Sequence, residues 1–150
     1  MRDRFIDGCL AGLLAGIIAN IYSYASYHLL HLTSMRYVDF AGIMIFGNLP
    51  RGPEELILAQ LAQLFFSSFL GVGFSLFLSK LTFRNFLFKG WYYGCVVWFG
   101  IYILTTLFKV PGLTQINFGT AASNVVAASI IGLTLAPIYR RLRAVNHISS

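Results

Sequence analysis

The sequence predicts an all-α fold: a four-helix transmembrane bundle with a short interfacial helix in its first outer loop. Three observations carry that prediction. The 11 basic and 5 acidic residues avoid four windows, 8–30, 56–79, 90–108 and 119–139. Each window has about the 20 residues that a helix needs to cross about 30 Å of hydrocarbon. Charged residues make up only 11% of the chain and mean hydropathy is +0.73, whereas a soluble domain carries about 25% charge. Small residues recur at steps of four inside the windows, where they would weaken a helix in water but let helices approach closely in lipid. Almost nothing is left over for a soluble domain, so residues 1–150 read as one transmembrane domain.

The first span, GCLAGLLAGIIANIYSYASYHLL, sets the pattern with Gly8, Gly12 and Gly16, followed by Asn20. Asp7 precedes it and favours the positive end of the helix dipole. The apolar run is longer than a signal-peptide core of about 7–15 residues and no clear A-x-A site closes it, so a retained span is expected. Leu13 is expected to face lipid. Tyr22, Tyr24, Tyr27, His28 and His31 suit the membrane interface at its far end.

The connection 31–53 contains VDFAGIMIFG (38–47), which is too short to span. It reads as a short interfacial helix, with a partial re-entrant segment as the alternative. Pro53 followed by Glu54 and Glu55 starts the second helix, which holds Gln60, Gln63 and Gly71. Lys89 and Lys109 bracket the third, with Gly90 and Gly94 four apart and Trp91, Tyr92 and Tyr93 as an aromatic belt. The fourth holds Asn124, Ala128 and Gly132, and Pro137 is expected to kink its last turn. The tail from Ala144 is expected to fray.

Arg2, Arg4, Lys80, Arg84, Lys89, Arg140, Arg141 and Arg143 fall on one side of this topology, and only Arg36, Arg51 and Lys109 on the other. That asymmetry places both termini in the cytoplasm of a cell-membrane protein. The basic residues form short clusters beside the spans. They fit attraction to anionic lipid head groups, with no nucleic-acid surface of basic residues interleaved with aromatics.

At 1.5 Å per residue, position converts to depth. Asn20 lies about 18 Å from the inner end of its helix, Gln63 about 12 Å and Gln60 about 7 Å from the outer end of theirs, and Asn124 about 9 Å from the outer end of the fourth. Tyr24 is close in height. Two roles suit this amide layer. The side chains hydrogen-bond one another and set helix register, or they line a cavity open to the outside and closed by the tight inner half. Gly8, Gly12, Gly71, Gly90, Gly94 and Gly132 belong to that inner half, with Gly16 and Ala128 continuing their helices' small-residue rows.

Charged groups suited to proton coupling are not seen inside the four windows. The GTAASN run at 119–124 has no nucleophile-elbow context, no histidine sits deep in a span, and Cys9 and Cys95 lack metal-type spacing. His28, His31, Asp39, Glu54 and Glu55 gather at the outer face, where interfacial histidines and an acidic helix start account for them without a metal. No catalytic group or cofactor is therefore expected. A structural or partner-binding membrane component, able to self-associate or to pair with another membrane protein, is the favoured function. A small-solute transporter or channel subunit is the alternative.

The segments DGCLAGLLAGIIAN, DFAGIMIFG and KGWYYGCVVWFGIY resemble those of a group of small, uncharacterised four-span membrane proteins of Gram-positive bacteria. The resemblance implies the same topology and a bacterial source, and transfers no site.

Overall fold

A computed structural model of the chain describes residues 3–79 and 85–148. Arg2, Lys80 and Arg84 of the expected basic face lie outside them. The described residues contain helices α1 (Arg4–His28), α2 (Tyr37–Phe46), α3 (Pro53–Ser79), α4 (Phe86–Leu107) and α5 (Phe118–Ile148). Helices α1, α3, α4 and α5 are long and apolar enough to cross a membrane. The chain is a multi-pass membrane protein built as a four-helix bundle, with α2 in the first connection.

The helices outrun the charge-free windows because polar residues cap them. The Asp3 carboxylate accepts from the Phe5 N–H at 3.3 Å and starts α1 four residues early. Asp7 consequently falls inside a spanning helix, in its first turn, and is fully buried. A window free of charge is thus not the whole span. Before α3, the Glu55 carboxylate accepts from the Arg51 backbone N–H at 2.9 Å. Helix α5 continues through Pro137 to Ile148, so the residues from Ala144 to Ile148 stay helical where fraying was expected. Arg140, Arg141 and Arg143 lie one to two turns before that end, within the helix.

Close backbone contacts join α3 to α1, α1 to α5, and α5 to α4. The spans therefore follow the order α3–α1–α5–α4, and the two outer members do not pack along each other. Near the chain termini (hereafter the terminal end), the contacts are made backbone to backbone. A Cβ added at Gly12 would strike the Ser67 carbonyl and the Gly71 backbone, and one at Gly8 would come 2.8 Å from the Gly71 carbonyl. Gly90 and Gly94 meet Gly132 and Ala128 in the same way across α4 and α5. In lipid, where apolar side chains gain little by leaving one another's company for hydrocarbon, such close approach is a main source of helix association. Phe74, fully buried, fills the space beside these seams. Its ring centroid lies 5.3 Å from that of Tyr93 and 6.1 Å from that of Tyr139, and it packs with Ala11, Ala15 and Leu135.

At the opposite end, α2 lies against α3. Asp39 ties its start: the carboxylate accepts from the Arg36 backbone at 2.7 Å and from the guanidinium at 2.8 and 3.1 Å. Against the opposing effect of burial, the Asp39 bond holds the Arg36 guanidinium in its charged form. The guanidinium carbon also sits 5.5 and 5.4 Å from the ring centroids of Tyr24 and Tyr27, which pins α2 to the end of α1. Gly47 ends α2 with φ +72°, a left-handed cap that glycine adopts without strain.

Candidate functional site

The gap between α3 and α4 is the most distinctive space in the bundle. At its terminal end it is bridged by Tyr93: its hydroxyl donates to the Leu70 backbone carbonyl at 2.8 Å, and Phe77 packs beside its ring at a tilt. Toward the α2 end the walls part around a cavity of about 300 Å³. Phe66 and Leu70 of α3, Val97 and Ile101 of α4, and Ile131 of α5 supply hydrocarbon walls, and Phe40, Ala41, Met44 and Ile45 of α2 cover it. Apolar α2 thus fits into the bundle as a cover over this space.

The structure separates the predicted amide layer into two pairs. Asn20 and Gln63 are both buried, and Asn20 Nδ2 donates to Gln63 Oε1 and, at 3.1 Å, to the Gly16 carbonyl. Gln63 Nε2 donates to Ser67 Oγ at 3.3 Å. This pair joins α1 to α3. Asn124 instead donates through Nδ2 to the Tyr102 hydroxyl at 2.9 Å, joining α5 to α4. Gln63 and Asn124 line the cavity, whereas Asn20, Gln60 and Tyr24 do not. Gln60 is half-buried and joins neither pair. Tyr24 stacks on His28, with centroids 6.1 Å apart, beneath Arg36.

Of the cavity residues that the sequence did not single out, Tyr37, Trp98 and Tyr102 are the aromatic ones with a polar group. Trp98 and Tyr102 are one turn apart on α4, with ring centroids at 5.0 Å. Their stride of four was the available signal, but an aromatic in a span reads equally well as lipid-facing. Tyr37 is held by its backbone N–H, which donates to Ser23 Oγ at 2.9 Å. Burial pushes its phenol above the ordinary value, reinforced by the neighbouring Tyr102 and Tyr22, so it stays protonated.

Hydroxyls also escaped the sequence reading. Ser26 and Ser123 are 2.7 Å apart between α1 and α5, and Thr120 lies 3.2 Å from Thr33 and 3.0 Å from Ser34. The GTAASN run therefore supplies a seam of small hydroxyls to the α2 end. Cys9 and Cys95 are free thiols, and Cys9 Sγ lies 2.6 Å from Ser68 Oγ.

The arrangement has the physical character of a binding site. Its volume is at the lower end of the about 300–1,000 Å³ usual for small-molecule sites, and a few polar groups stand in a mostly apolar wall. Charged side chains are missing from the lining. No protein-family model, curated protein or solved structure matches this chain.

Proposed function

We propose that the protein is a non-catalytic binding component of the cell membrane and that the cleft between α3 and α4 holds its partner, an apolar or amphipathic molecule. The observation that carries this reading is the incomplete ring of helices. α3 and α4 are bridged at the terminal end and stand apart over a cavity of about 300 Å³. Hydrocarbon walls facing a bilayer take up hydrocarbon; the polar groups then orient whatever head is attached to it.

A small-solute transporter is the second reading, favoured by Gln63 and Asn124 on the cavity wall. Both amides are already engaged, by Asn20 and Tyr102 respectively, which leaves little to replace the hydration of a polar cargo. Binding is therefore preferred over conduction.

The positive-inside asymmetry supports termini in the cytoplasm. Lys89, Arg140, Arg141 and Arg143 on that side would attract anionic head groups. The chain's pattern also fits the small four-span proteins of Gram-positive bacteria that it resembles.

The test uses Trp98 as its own reporter. Trp91 is replaced by phenylalanine, the protein is placed in nanodiscs, and a brominated single-chain amphiphile is titrated in. Quenching of Trp98 should saturate near one probe per protein. Ala62→Phe, which fills the cleft from α3, should weaken it at least about tenfold. Quenching that rises linearly with probe and ignores Ala62→Phe contradicts the reading.

A further inference from the structure

The α2 end of the cavity has donors in search of acceptors. Trp98 lines it, and the indole Nε1–H is buried with no hydrogen-bond partner. Buried N–H groups are nearly always paired, so an orphan one calls for an explanation. Among the described residues the Tyr37 hydroxyl, on the facing wall, also has no hydrogen-bond partner; only its backbone N–H is engaged. The Tyr102 hydroxyl accepts from Asn124 and keeps its own proton to give. Tyr102 is 5.0 Å from Trp98 by ring centroids and close enough to Tyr37 for the two phenols to interact.

The side-chain acceptors on the α3 wall are spoken for. Gln63 Oε1 receives Asn20, and Ser67 Oγ receives Gln63. Asn20 Oδ1 is also unpaired, but Asn20 does not line the cavity; an oxygen that accepts and does not need to donate would complement the donors that do. A carboxylate or phosphate would supply one, but no cation lines the cavity to balance it. Arg36 is turned away onto Asp39, Tyr24 and Tyr27. Burying an uncompensated charge there is strongly unfavourable.

We infer that the cleft selects an uncharged lipid whose carbonyl oxygen sits among Trp98, Tyr37 and Tyr102 while its hydrocarbon tail runs along Phe66, Leu70 and Val97. This rests on the reading of the cleft as a binding site and specifies its ligand. A membrane-soluble quinone and an ester-linked neutral glyceride share the required chemistry: an acceptor, no charge, and a long apolar tail. The tail direction follows from the walls, which apart from Ser67 are hydrocarbon from Val97 down to the Tyr93–Leu70 bridge.

Native mass spectrometry of the full chain released from nanodiscs counts bound molecules without relying on tryptophan. Four probes of matched tail are compared: an alkyl benzoquinone, a diacylglycerol, an alkyl sulfonate and an alkylbenzene. At least one carbonyl probe should bind about tenfold more tightly than the alkylbenzene, and the sulfonate should bind no better than the alkylbenzene. The tighter of the two carbonyl probes identifies the source. Trp98→Phe and Tyr37→Phe should each remove most of that preference, read as the ratio of carbonyl-probe to alkylbenzene affinity within the same variant. Equal binding of carbonyl probes and alkylbenzene to the wild type overturns the inference while the cleft reading survives; so does a preference for the sulfonate. Retention of the carbonyl preference in both variants also overturns it. Failure of every probe, with no difference from Ala62→Phe, overturns the cleft reading itself.

Discussion

The two halves of this bundle are held by different forces. At the terminal end, glycines remove side chains from the seams, so α1 meets α3 and α4 meets α5 through their backbones. At the α2 end the same helices meet through reaching side chains: Asn20 to Gln63, Ser26 to Ser123, Asn124 to Tyr102. Dense contact closes one half. The other half tolerates a cavity because paired amides and hydroxyls maintain register without filling space. The comparison teaches where a bilayer protein can keep a binding site: beside polar pairs that fix the geometry, away from the glycine seams that exclude everything. Helix α4 shows this most clearly, with only 11% of its membrane-length window buried against 39–44% for the other spans. It is the peripheral wall of the cleft.

Substitutions can break this contrast in order of effect. The largest loss should come from Phe74→Ala, which empties the centre of the closed half; the cavity and lost contacts should cost about 3 kcal/mol. Thermal unfolding in detergent measures it. Next is Gly12→Leu, where a side chain would meet the Ser67 carbonyl and the Gly71 backbone, for about 2 kcal/mol of overpacking. Gly16→Leu should cost a similar amount in the same assay, because it meets Ser67 Cβ, which is fixed to the α3 backbone and cannot turn away. Tolerance of both substitutions would mean that close approach of α1 and α3 is not what closes the seam.

In the α2 half the effects should be smaller. A double-mutant cycle on Asn20→Leu and Gln63→Leu should give a coupling of about 0.6 kcal/mol, the usual size for an interhelical hydrogen bond in lipid. A coupling near zero would remove the amide pair from the account. Smallest of all, Ala62→Phe and Leu13→Phe should leave stability within about 0.5 kcal/mol of wild type. Only Ala62→Phe should weaken ligand binding, by at least about tenfold, which separates filling the cleft from adding bulk elsewhere.

Much of the fold was legible because span-length apolar windows obey one strong constraint: charges avoid hydrocarbon. The helix ends were less legible. Asp3 caps α1 and α5 runs on through Arg140, Arg141 and Arg143, so helices extend through charged residues and Asp7 ends up buried inside α1. The small-residue rows showed where helices come close, but not which helix meets which. Depth brought Asn20, Gln63 and Asn124 to one level, yet depth is one coordinate and direction around the helix is the other. Asn20 faces α3 and Asn124 faces α4, so one expected layer is two pairs. A cavity beside the amides was one reading of the sequence, and Gln63 and Asn124 do line one, but its place between α3 and α4 was not legible. It depends on α3 and α4 failing to pack, a property of the whole arrangement. Trp98, Tyr37 and Tyr102 become notable only once that gap places them around it.

The central claim is that the α2 half is an occupied lipid cleft beside a closed terminal half. Electron cryo-microscopy of the protein in nanodiscs tests it most directly. The account predicts elongated density between α3 and α4, beginning beside Trp98 and Tyr37 and ending at the Tyr93–Leu70 bridge, with none between the glycine seams. A map in which α3 and α4 close directly on each other, with Val97 packed against Phe66 and no intervening density, would contradict it.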